Sequence, residues 1–143
     1  MNKRGITTAV LIAGSLALAG CGSSSAAESE ATPSATTPPA DGGTYATVEE
    51  LKDAFVAAGG SCPAYEQSNI VTLAAESAEC SSEAVLSTYL SSSDITQLIQ
   101  ENKDIAEQYD IEFSSWLVGE NWVINAPGAE ELHEKLGGTV VSW

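Results

Sequence analysis

Val48, Leu51, Phe55 and Ala58 stand at helical spacing, with Glu49, Glu50, Lys52 and Asp53 among the positions between them. Just ahead, Thr47-x-x-Glu50 forms a capping box, in which the threonine hydroxyl accepts the Glu50 amide and the glutamate reaches back. Gly59-Gly60 supplies the stop, because glycine takes the left-handed cap conformation at little cost. The pattern predicts a first helix over 48–58. A second follows from Ile95, Leu98, Ile99, Ile105, Ala106 and Tyr109, which recur at i, i+3, i+4 spacing. Thr96, Gln97, Gln100, Glu101, Asp104 and Glu107 fill its other face, Ser92 or Ser93 caps it, and Asp94 suits the positive end of its dipole.

Strand patterns lie between and after these helices. Residues 69–74 hold Ile70, Val71 and Leu73; residues 83–90 hold Val85, Leu86, Tyr89 and Leu90. Residues 113–118 and 121–125 read as a hairpin turning at Gly119-Glu120-Asn121, with Trp116 and Val118 on one face of the first strand and Trp122 and Ile124 on one face of the second. A short helix over 129–136 stops at Gly137-Gly138, and residues 139–143 form a last strand. Consecutive strands favour antiparallel pairing, and amphipathic helices need a sheet face to cover. The expected fold is α+β: an antiparallel sheet of four or five strands with two or three helices mostly on one face. The alternative is a mixed sheet with a parallel C-terminal edge strand.

The N-terminal part follows another pattern. Lys3 and Arg4 precede an apolar run over 6–19, too short for a span of about 20 residues and of the length found in secretory signals. It ends in Leu18-Ala19-Gly20-Cys21. This stretch resembles the lipobox signal peptide of bacterial lipoproteins. The resemblance implies cleavage before Cys21, lipid on its sulfur (diacylglycerol, with palmitate among the acyl chains), and a place on the extracytoplasmic face of the cell membrane. Two acyl chains anchor stably where one binds marginally. The domain organisation expected is a signal peptide over 1–20, a lipid-anchored linker over 21–44 and one α+β domain over 45–143. The linker is rich in Ser, Ala, Thr and Pro and lacks large apolar residues, so it cannot bury enough surface to offset its ordering entropy. As a random coil it spans about 25–30 Å.

Charge and cysteine usage sharpen this. All 20 acidic residues lie beyond Cys21, with only Lys52, Lys103 and Lys135 to oppose them, so that part of the chain carries a net −17. Such a surface repels nucleic acid and anionic lipid, and no Lys/Arg cluster exists to bind either. With Cys21 committed to lipid, Cys62 and Cys80 are left to pair, as suits an exported protein. Free thiols or metal ligands are the alternatives, but a metal site needs more donors than the chain's single histidine, and no Cys-x-x-Cys occurs.

Candidate chemistry is sparse. Glu130-x-x-His133 has the spacing of half a di-iron motif, which needs a second copy and further glutamates that the chain lacks. Glu130, Glu131 and Glu134 suit the positive end of a short helix, and neither they nor Glu101, Asp104 and Glu107 match a calcium loop. No nucleophile elbow or phosphate-cradling glycine loop is present. Trp116 and Trp122 form a core pair if they are cross-strand neighbours; if one hairpin face is open, they and Trp143 mark a binding surface. No catalytic residue, metal or cofactor is expected.

Residues 47–125 also resemble small exported domains of actinobacterial lipoproteins. The shared features are a helix ending in Ala57-Ala58-Gly59-Gly60-Ser61-Cys62, a second cysteine in a strand region, and Val118-Gly119-Glu120-Asn121-Trp122-Val123. This resemblance implies export and fold, not an activity. The function expected is a non-catalytic, lipid-anchored binding or interaction module taking an extracytoplasmic protein or small ligand. The alternatives are a weak divalent-cation-binding surface protein and a carboxylate-based envelope hydrolase.

Overall fold

The structure, a computed structural model, describes residues 37–143. The signal-peptide expectation, Cys21 and most of the linker lie outside the described residues. The elements run α1 Val48–Ala58, β1 Glu66–Gln67, β2 Glu76–Ser81, β3 Ala84–Thr88, α2 Ser92–Tyr109, β4 Trp116–Val118, β5 Trp122–Asn125, a 3₁₀ turn Ala129–Leu132, α3 His133–Leu136 and β6 Thr139–Val141. The six strands form one sheet of order β1-β2-β3-β5-β4-β6, antiparallel at every pairing. The α+β class holds, and the sheet has six strands rather than four or five. The C-terminal edge strand is antiparallel, not parallel.

One face of this sheet is the main core. Side chains alternate across each strand, so Ala78, Cys80, Leu86, Leu117, Trp122 and Ile124 point to the same side, against Val48, Leu51, Phe55 and Ala58 of α1 and Leu132 and Leu136 near the C-terminus. Helix α1 forms as its sequence dictates. Thr47 Oγ1 accepts the Glu50 amide at 3.2 Å, and Glu50 Oε2 accepts the Ala46 amide at 3.0 Å. At its other end the Gly60 amide reaches Phe55 O and the Gly59 amide reaches Val56 O, with Gly59 left-handed at φ 111°. That is a Schellman closure. Lys135 Nζ donates to Ala58 O at 2.6 Å, joining α3 to the same helix end.

Cys62 and Cys80 form a disulfide. It staples the chain leaving α1 to β2, and a loop of this length contributes about 3 kcal/mol in a chain-entropy account. The packed domain also starts ahead of Tyr45. Gly42 is buried, and Trp122 Nε1 donates to Gly42 O and Gly43 O at 3.3 and 3.1 Å. Asn121 clasps Tyr45 by both backbone groups, at 3.0 and 2.8 Å.

Residues 69–74 are not a strand. Asn69 sits at φ 50°, and its Oδ1 accepts the Ser77 amide while Ser77 Oγ accepts the Val71 amide, both at 3.1 Å. Asparagine tolerates this left-handed backbone and bonds locally. These side-chain bonds bend the segment back over the sheet, which outweighs the strand propensity of Ile70, Val71 and Leu73.

Candidate functional site

The second sheet face is covered differently. Val85, Ser87, Tyr89, Trp116, Val118, Val123 and Asn125 point to it, opposite in alternation to the core residues. Above it lies α2, begun by the Ser91 hydroxyl, which accepts the Ser93 amide at 3.1 Å, and ended by Asp110 in a left-handed cap. Only Ile95, in the first turn of α2, is fully buried; Leu98 and Ile99 are half-buried, and Ile105 and Tyr109 are 42% and 63% exposed. The helix is fastened to the sheet at its N-terminal end, and its apolar stripe is left partly uncovered beyond Ile99.

Between α2, the sheet and the bent segment 69–74 lies a cleft of about 220 Å³. Val85 and Val123 make its apolar floor, Trp116 closes one end, and Ile70, half exposed, stands with Val71 at its rim. Trp116 is itself held edge-on by Trp143, with ring centroids 4.8 Å apart, and Trp143 Nε1 donates to Ser114 O at 3.0 Å.

Four polar side chains converge on this apolar space: Ser87, Tyr89, Asn102 and Asn125. The Ser87 and Tyr89 hydroxyls are 2.9 Å apart and bonded to each other, and both residues are buried. Burial pushes the Tyr89 phenol above its ordinary value; the Ser87 bond opposes this, and the Asp94 carboxylate adds to it. The phenol is therefore a neutral donor and acceptor. Asn102, which lines the cleft, donates from Nδ2 to Leu98 O at 2.9 Å, within its own helix. Apolar walls with a few convergent polar groups are the usual composition of a small-molecule site.

The three tryptophans are divided between the two faces. The register pairs Leu117 with Ile124 and Val118 with Val123, so Trp116 and Trp122 fall on opposite sides of the sheet and do not form a pair. Trp122 is fully buried in the main core, edge-on to Tyr45 at 6.0 Å. Trp116 belongs to the cleft, and Trp143 is its half-buried backing. Of the surface expected from Trp116, Trp122 and Trp143, the structure brings together the first and the third.

His133 and Glu130 are exposed, at the junction of the 3₁₀ turn and α3. Among the described residues, no three His, Cys, Asp or Glu side chains group so as to hold a metal ion, and no helix is long and apolar enough to cross a membrane. Glu76, one of the half-buried acids, spends Oε2 on the Val48 amide at 2.8 Å, at the start of α1.

Ser87, Tyr89, Asn102 and Asn125 were not among the site residues expected from sequence, where Tyr89 entered only as part of a strand pattern. One signal pointed to them: Asn102 interrupts the apolar stripe of α2 one turn after Leu98, where a packed helix would carry an aliphatic residue. Comparison of the chain with protein-family models, with curated proteins and with solved structures finds no match.

Proposed function

We propose that this chain is a lipid-anchored, extracytoplasmic binding domain, non-catalytic, whose cleft between α2 and the sheet takes a small ligand. The cleft carries the reading: apolar walls with four convergent hydrogen-bonding side chains, on a sheet face that α2 covers only in part. Support for the anchor is the Leu18-Ala19-Gly20-Cys21 motif behind an apolar run, together with a disulfide that suits an oxidising compartment. On this reading lipidated Cys21 fixes the domain to the cell membrane, and the acidic surface keeps it soluble beside anionic lipid.

The test uses the full chain expressed in a lipoprotein-processing bacterium, alongside Val85→Phe, which fills the cleft from its floor, and Cys21→Ala. Small molecules released by denaturing the purified proteins are identified by mass spectrometry. The wild type should carry a compound that Val85→Phe lacks, and identical extracts would refute the cleft as the site. Labelled palmitate should enter the wild type and its membrane fraction but not Cys21→Ala. Equal fractionation without label in either form would remove the anchor.

A further inference from the structure

The ligand class can be taken further from the chemistry of the lining, on the assumption that the cleft is the binding site just proposed. We infer that the cleft selects an uncharged molecule about the size of one aromatic ring with a short hydroxyl- or carbonyl-bearing arm. Twenty of the chain's residues are acidic and three lysines lie beyond Cys21, yet no charged side chain lines this space. Asp94 acts on the Tyr89 phenol through its charge but stands outside the lining. A charged ligand entering here is stripped of water with no counter-charge to meet it, which is the costly case of burial.

The polar groups present suit a neutral head. Ser87 Oγ donates to Val123 O at 3.5 Å and shares a 2.9 Å hydrogen bond with the Tyr89 hydroxyl, so the two oxygens present lone pairs to a ligand. Asn125, half-buried, lines the cleft, and its side-chain amide brings both a donor and an acceptor to it. The amide and the hydroxyl lone pairs can serve an alcohol as donor and acceptor, and none of them supplies the counter-charge that a carboxylate or an ammonium needs once stripped of water. Size agrees: a dry cavity of about 150 Å³ admits benzene, and this one holds about 220 Å³. Trp116, fixed edge-to-face against Trp143, adds an aromatic side chain to the lining.

The experiment titrates the isotope-labelled protein with three probes of one shape and different charge: 2-phenylethanol, phenylacetate and 2-phenylethylammonium. Backbone and side-chain resonances are followed by NMR. The alcohol should give saturable shifts at Ser87, Tyr89 and Asn125, and the two ions should bind there at least about tenfold more weakly. The ammonium is the demanding comparison, because the acidic surface attracts it everywhere else. Tyr89→Phe, which keeps the ring and removes the hydroxyl, should weaken the alcohol several-fold while near-ultraviolet circular dichroism stays native; Asn125→Leu gives a second, independent loss. An ion binding in the cleft as tightly as the alcohol overturns the selectivity and leaves the binding site standing. Saturable shifts from none of the three, or shifts confined to the opposite face around Tyr45 and Leu136, overturn both.

Discussion

At the scale of single residues, the fold turns on Trp122. Its ring is fully buried, its indole nitrogen donates to two glycine carbonyls of the leading segment, and glycines surround it because nothing larger fits. A Cβ placed on Gly119 would run into the indole at Cε2 and Nε1, and one on Gly42 would meet Cζ2. These glycines allow close approach, and at Gly42 the positive φ of 78° adds a second requirement. Gly119→Ala isolates the first effect, since Gly119 does not sit at positive φ. The methyl group pushes the indole off both carbonyls in a core with no room to yield, so the substitution should cost about 1–3 kcal/mol. Urea unfolding checks this, with a lowered midpoint and unchanged slope. An unchanged midpoint would mean the ring can shift freely, contrary to its burial.

Among the elements, α1 and α2 share an amphipathic sequence pattern but differ in how they are held. The boundaries of α1 were legible because its signals are local: a capping box and a glycine pair act within a turn of the residues they stop. The apolar stripe of α2 was legible but its ends were less so: the cap is Ser91 rather than Ser92 or Ser93, and Asp110, which no sequence signal marked, ends the helix in a left-handed conformation. Strand β3 and the hairpin were also legible from alternation. The opposed faces of Trp116 and Trp122 were not, because that depends on whether Val118 pairs with Val123 across the turn, a register no single strand announces. The bend at 69–74 was hidden for a related reason: its cause, Ser77, lies in another element. The cleft was least legible, since Ser87, Asn102 and Asn125 meet only after three separate elements assemble. Burial of Val48 and Leu51 along α1, against Ile95 alone in α2, predicts a difference in local stability. Amides over 102–109 should exchange with deuterium at least about tenfold faster than those over 51–58, a gap of about 1.4 kcal/mol in opening free energy. Equal protection would mean that α2 is held along its whole length, and the cleft would then be a closed seam.

For the whole molecule, charge and buried phenols set the pH range of stability. The chain carries a formal −15, and among the described residues the one ion pair is Lys52 with Asp53 at 2.6 Å. Self-repulsion therefore opposes compaction at neutral pH and grows as the lysines lose their protons. A second alkaline effect is local. Burial raises the phenols of Tyr45, Tyr65 and Tyr89 above 10.0; at Tyr65 the Glu49 carboxylate adds to this and Lys52 opposes it. In the folded state each phenol keeps its proton where the unfolded chain has already lost it. The native state thus binds more protons above pH 10, and stability must fall as pH rises through the folded values, while below 10 these groups contribute fully. The two effects separate by salt. Repulsion between exposed charges is screened in 1 M salt, where the Debye length is about 3 Å, but the cost of ionising a buried phenol is not. Urea midpoints followed from neutral pH past 10, with phenolate absorbance recorded in parallel, should stay level and then fall. Salt should raise the whole curve and leave the fall in place, and Tyr89→Phe should make it shallower. A fall that vanishes in high salt would assign the alkaline limit to surface repulsion alone and remove the buried phenols from it.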